Sequence, residues 1–256
     1  MGGLFAKDYP GDAFVLFGPS HLVAIGIMAA AIVFLGVRGR SFSPGAKRIL
    51  RFGLAGILVA NEIAWHVWTI ATGQWSARTM LPLHLCSITC WLSIVGLLRP
   101  SQISFEYVYF LGITGAGHTV ITPNIGPYGF PHIHFFLTLV GHAGIVVAAA
   151  YLTFVEGFRP TWKSLWRVFG WTNLYLVNIF LLNLGLGSNY MYVSHKPETP
   201  SLMDLMGPWP WYILALEGVA LLHMLALYAP FAFAEARLRR GRVQILGISA
   251  NPDPDR

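Results

Sequence analysis

Long apolar runs alternate with short polar breaks along the whole chain. The runs fall at about 18–37, 49–72, 80–98, 104–122, 131–156, 165–187 and 209–235. A helix of about 20 residues crosses the hydrocarbon core of a bilayer, and each run is long enough. Turn-forming residues mark the breaks, among them Pro44, Gly73, Pro100, Pro123, Pro160 and Pro208. Pro82 and Pro131 are expected in the first turns of the third and fifth helices, where a missing N–H costs nothing. The pattern predicts an all-α polytopic membrane protein with seven transmembrane helices. Residues 1–240 are read as a single transmembrane domain. Residues 241–256 are read as a short basic cytoplasmic tail suited to anionic headgroups.

Composition agrees. Charged residues make up 11% of the 256 residues, against roughly 25% in a soluble domain. The hydrophobic share is 55% and mean hydropathy is +0.58. These values exclude a soluble enzyme and a disordered chain. The net charge of +6 does not indicate a nucleic-acid partner, because the basic residues form no continuous patch. They mark orientation instead. With the N-terminus outside, fourteen of the 17 fall in inside segments and only Lys7, Arg78 and Lys196 fall outside. Six or eight spans would put the basic first loop and the basic tail on opposite sides. Seven helices, N-outside and C-inside, is therefore the expected topology. No cleaved signal peptide is read, and the first apolar helix is expected to act as the insertion signal. The longest outer loop spans about 188–208, with Thr199 and Pro200 expected to open a short helix over the mouth of the bundle.

Ionisable groups are costly inside a bilayer, so each marks a candidate site. Glu62, His66, His84, His118, His134 and Glu217 fall in the spans, with Asn61 and Asn183. The topology places them toward the outer half of the bundle. Glu62 and His66 are i,i+4 and share a face, as a functional pair or as a tie between helices. His84, Ser87 and His118 are the candidate catalytic residues, with His84 as general base. With His84 in the first turn, Ser87 at i+3 shares its face, whereas Cys86 and Cys90 point away. The Ser87 hydroxyl also has the alternative of bonding its own helix carbonyls. Asn61, Glu62, His66, His134, Asn183 and Glu217 are expected to line a polar pocket. The histidines have no tight metal-ligand spacing, so no metal and no cofactor is expected. The seventh span has no Lys for a retinal Schiff base.

The segments LPLHLCSI at 81–88, NYMY at 189–192, KP at 196–197 and SLMDLMGPWPWY at 201–212 resemble the YwaF-type bacterial integral membrane proteins. The resemblance runs from the second helix to the seventh. That family is in turn distantly similar to the animal multi-pass acyltransferases that remodel ether phospholipids through a Cys–His site. In those enzymes the Cys follows a Pro and precedes a His. The matching positions here are Pro82, Leu83 and His84, so the His is kept and no thioester forms at Leu83. The resemblance implies a bacterial plasma membrane and an acyltransferase or hydrolase acting on a lipid. The alternative is a transporter or binding protein for a small polar solute or a proton. The expected partners are membrane lipid and a lipid or small polar substrate.

Overall fold

The computed structural model describes residues 3–198 and 201–246. Seven apolar helical rods make up the described chain, with short 3-10 turns and no strand among the described residues. They are α1 (Pro19–Arg38), α2 (Pro44–Ala71), α3 (Leu85–Leu98), α4, α5 (Ile133–Phe154), α6 (Trp162–Leu186) and α7 (Trp211–Leu246). The rod α4 begins as Gln102–Tyr107, widens into a π-helix over Val108–Ala116 and closes as Gly117–Ile121. Five of the rods are long and apolar enough to span a bilayer by themselves. The exceptions are α3, with 14 residues, and the composite α4.

Local chemistry sets the ends. The Ser43 hydroxyl caps α2 by accepting from Ala46 N at 3.2 Å, with Pro44 at the first position. Ser101 and Ser104 close a reciprocal box at the start of α4, and Thr161 and Ser164 do so for α6. Gly187 ends α6 at φ 62°, a left-handed conformation that glycine adopts without strain. The chain therefore enters α2 five residues earlier than the apolar run suggests, because the cap and not the first apolar residue starts the helix.

Two proline expectations are corrected. Pro82 does not open α3: the helix starts at Leu85 with His84 as its N-cap residue. Neighbouring tyrosines hold the extended stretch before it. Leu81 N donates to Tyr190 Oη at 2.9 Å, and Tyr175 Oη donates to Leu83 O at 2.8 Å. Irregular backbone is tolerated at membrane depth where protein groups satisfy it in this way. Pro131 precedes α5, whose N-cap is His132, with His132 Nδ1 accepting from His134 N at 3.1 Å. Thr199 and Pro200 lie outside the described residues. The short turn that follows is Leu202–Met206, where Asp204 Oδ2 accepts from Ser201 N at 2.8 Å.

The core sits where α5 crosses α2, α3 and the π-helical part of α4. Leu58, Leu97, Phe105, Phe110, Ala148, Ala149 and Leu152 are fully buried there. By contrast, Val23, Ile27, Phe34, Val177, Leu181, Leu184, Leu214 and Leu222 turn outward from α1, α6 and α7. A belt of that kind suits hydrocarbon, so the chain is a multi-pass membrane protein. At the end assigned outside by the basic residues, the segment before α1 folds over the bundle. Trp68 Nε1 donates to Phe5 O at 3.1 Å and Tyr128 Oη donates to Lys7 O at 2.9 Å. His132 Nε2 meets Ala6 O at 3.0 Å. At the opposite end a buried acid appears that the sequence analysis did not single out. Glu106, 2% exposed, pairs with Arg167 at 2.7 Å and accepts from Ser164 Oγ at 2.7 Å. It ties the starts of α4 and α6 together.

Candidate functional site

A cavity of about 380 Å³ lies between α3, α4, α6 and α7. The outer segment roofs it through Met191, Tyr192, Val193 and Met203. Its walls are mainly apolar, with Leu85, Leu111, Phe169, Leu176, Ile213 and Leu216 among them. Set into these walls are His84, Cys86, Thr114, His118, Thr172, Glu217 and His223.

Each polar group has a positional cause. His84 faces the cavity because the chain is extended there (φ −72°, ψ 154°) and not helical. Its Nδ1 accepts from Met191 N at 3.3 Å, and Tyr190 and Tyr192 pack on its ring with centroids 5.1 and 5.6 Å away. A neutral His84 therefore carries its proton on Nε2 and acts as a donor. His118 and His223 meet through their Nε2 atoms at 3.0 Å, joining α4 to α7. His223 Nδ1 lies 2.7 Å from Val219 O, a pure acceptor, so that nitrogen holds a proton. The His223 Nε2 is then the acceptor, His118 Nε2 the donor, and His118 Nδ1 is left with a lone pair. Nearer the start of α7, Glu217 Oε2 accepts from Asn173 Nδ2 at 2.8 Å. The neighbouring Thr172 hydroxyl is buried with no hydrogen-bond partner among the described residues.

The π-helical stretch supplies Leu111, Thr114 and Gly115 to the wall. Such widened turns occur frequently at functional sites. Gly115 allows the first turn of α3 to come close, since an added Cβ would sit 3.0 Å from Leu85 Cδ2. Cys86 Sγ lies across from Thr119 Oγ1 at 4.0 Å.

The cavity gathers three of the sequence candidates, His84, His118 and Glu217, and separates the others. Ser87 does not line it. His84 shares a face with Ser87 only if it is helical; as an N-cap residue it points elsewhere, and Leu85 and Cys86 are the residues of that turn that line the cavity. Glu62 and His66 do not hydrogen-bond each other: Glu62 approaches the Cys90 thiol of α3, and His66 Nδ1 accepts from Trp75 Nε1 at 3.1 Å. Asn61 packs where Gly141 of α5 lacks a side chain. His134 sits among Trp65, Trp68 and Tyr128, with ring centroids about 5 Å apart, in the cluster that holds the N-terminal segment. Asn183 is buried and structural: its Oδ1 accepts from Tyr190 N at 2.9 Å and its Nδ2 donates to Tyr190 O at 3.0 Å. It thereby fixes the loop that carries Met191.

Sequence reasoning did not place Cys86, Thr172, Asn173 or His223 in the site. His223 was visible as a span histidine. At 100° per residue, however, it lies about 240° from Glu217, which hides their common cavity. Among the described residues no group of three or more His, Cys, Asp or Glu side chains is arranged to hold a metal ion. His66 is bonded to Trp75 and His134 packs among Trp65, Trp68 and Tyr128, whereas His84 and His118 line the cavity.

The model of the TMEM164 family matches residues 16–228. That span runs from just before α1 into α7 and includes every residue of the cavity. No curated protein and no solved structure matches the chain.

Proposed function

Because the chain belongs to the TMEM164 family, whose members are multi-pass membrane proteins, we propose that the α3–α4–α6–α7 cavity takes a lipid acyl chain and cleaves or transfers its ester. The observation that carries this reading is the placing of His84, His118 and His223 in one otherwise apolar cavity. Apolar walls suit a fatty chain, and a few fixed polar groups orient the reacting end. The resemblance to YwaF-type proteins, and through them to ether-phospholipid acyltransferases, points the same way. It also supports a bacterial plasma membrane as the location.

The hydrogen bonds suggest a division of labour. His118, with a free Nδ1 and a partner on Nε2, is the base; His84, with its proton on Nε2, is the donor to the carbonyl oxygen. The attacking hydroxyl, from water or from an acceptor lipid, gives its proton to His118 as its oxygen bonds to the ester carbonyl carbon. The tetrahedral oxyanion accepts from His84. The ester C–O bond then breaks, and His118 returns the proton to the leaving alkoxide. Water yields a free fatty acid and an alcohol; an acceptor hydroxyl yields a new ester. Cys86, the thiol in the cavity wall, offers a two-step route: its Sγ bonds to the ester carbonyl carbon as His118 takes the thiol proton and passes it to the leaving alkoxide, and the acceptor hydroxyl then cleaves the thioester, its proton returning to the thiol.

The test compares lipid profiles of cells producing the wild-type protein, His118→Ala or Cys86→Ala. The reading expects acyl-chain remodelling that His118→Ala abolishes. Remodelling that Cys86→Ala also abolishes identifies the thiol as the carrier. Identical profiles for wild type and His118→Ala overturn the reading.

One observation favours a second reading. The non-α stretch of α4 and the Glu217 carboxylate in the cavity wall are features of transport sites, where broken helices line a polar path. Under that reading Glu217→Gln abolishes a pH-dependent flux in proteoliposomes and leaves lipids unchanged.

A further inference from the structure

A second and larger cleft, about 920 Å³, opens on the opposite side of the bundle between α1, α2 and α5. Its floor is Leu54 and Ile57 of α2. Small side chains hollow its walls: Ala24 and Ala31 on α1, Ala143 and Gly144 on α5. The two wall helices converge at the inner end, where Gly39 packs against Val155 so closely that an added Cβ would lie 2.8 Å from Val155 Cγ2. Toward the outer end, Asp12–Val15 with Gly129 and Phe130 form a partial roof. The roof is pinned, since Gly129 N donates to Asp12 O at 3.1 Å.

Physical chemistry limits what can fill this space. Water needs several polar partners, and the walls offer almost none. Apolar walls of this extent left facing water would carry a cost proportional to the area they expose. Hydrocarbon is what remains, and the membrane supplies it. The rim adds a preference. Asp12 is the one charged residue among those that line the cleft. It is exposed, and no cation pairs with it among the described residues. No Lys or Arg is present to hold a phosphate, so an anionic headgroup meets repulsion and an ammonium headgroup meets a carboxylate.

We propose that the α1–α2–α5 cleft is a lipid-binding site that holds the acyl chain of an amine-headed phospholipid, with the ammonium seated on Asp12. This site is separate from the histidine cavity and stands whether or not that cavity is catalytic.

Native mass spectrometry of the delipidated full chain tests it, with phosphatidylethanolamine and phosphatidylglycerol of identical chains as probes. The wild type is expected to retain one phosphatidylethanolamine at least tenfold more tightly than phosphatidylglycerol. Asp12→Asn should bring the two lipids to parity. The double variant Ala24→Phe, Ala143→Phe fills the cleft and should lose retention of both. Equal retention of the two lipids by the wild type, or an unchanged preference in Asp12→Asn, overturns the headgroup assignment. Full retention by the filled variant overturns the site. Should that variant fail to fold, the Asp12→Asn comparison still decides, because an exposed side chain is not needed for folding.

Discussion

At the scale of single residues, the hydrogen bonds of two imidazoles decide their roles. His84 has its acceptor nitrogen occupied by Met191 N, and His118 has its donor nitrogen directed at His223. Removing either should act on turnover. General-base loss typically costs about 10²–10⁴-fold, so His118→Ala is expected to lower ester turnover by that order. His223→Ala should cost less, about tenfold, because it orients the base without touching the ester. Ser87→Ala should leave turnover unchanged, a direct check on the corrected geometry; assays of the purified variants on one phospholipid measure all three. Glu106 makes the opposite kind of prediction. It touches no cavity residue, but its carboxylate is buried against Arg167, Ser164 and Gln102. Glu106→Ala frees Arg167 to water and leaves Gln102 and Ser164 their other partners, Arg159 O and Thr161, so it should destabilise the protein by about 2 kcal/mol, read as a lowered unfolding temperature with turnover at permissive temperature retained. Little of this was legible in the residue pattern. Glu62 and His66 have the right spacing for a bond, yet Trp75 and Cys90 compete for them from other elements, and helical spacing carries no information about such neighbours.

At the scale of elements, the rods themselves were legible and their ends less so. An apolar run reports burial in lipid, and it foretold α1, α5 and α6 to within a few residues. It cannot report where a helix gives way to extended chain that tyrosines from elsewhere satisfy. For that reason α3 starts three residues beyond Pro82, and His84 is a cap. The same limit hid the π-helix of α4, since a change of hydrogen-bond register has no compositional mark. Register matters to the site because α4 carries Thr114 on one side of the π–α junction and His118 on the other. Deleting Ile113 removes the extra residue that the widened turn holds, so α4 should close as an α-helix with His118 still directed at His223. The expected result is a folded protein that keeps far more turnover than His118→Ala. Tyr190→Phe bears on the same region: its hydroxyl accepts from Leu81 N and donates to Ala77 O. Losing it orphans both groups and should cost about 1–3 kcal/mol, seen in thermal unfolding.

At the scale of the whole molecule, the sorting of charge sets the frame. Seven rods place the N-terminal segment and the loop at 188–208 on one side, and the loop of Arg38, Arg40 and Lys47 on the other. A cysteine introduced at Pro197 should react with an impermeant thiol reagent added to intact cells. One at Ser41 should react only after permeabilisation. The reverse pattern would invert the topology. Within this frame the core of α5 divides two spaces of different character, one with histidines in its wall and one almost wholly apolar. Apolar cavities leave no pattern in a sequence, because the residues that line them look like residues that pack against lipid.

The account rests most heavily on lipid ester chemistry at the histidine cavity. Its most direct test reconstitutes the purified protein in vesicles of phospholipid carrying an isotope-labelled acyl chain and follows the label by mass spectrometry. The account predicts that label leaves its original glycerol position, as free acid or in a second lipid, with wild type and with Ser87→Ala, but not with His118→Ala. Label that stays in place with the wild type, or that moves equally with His118→Ala, would contradict it.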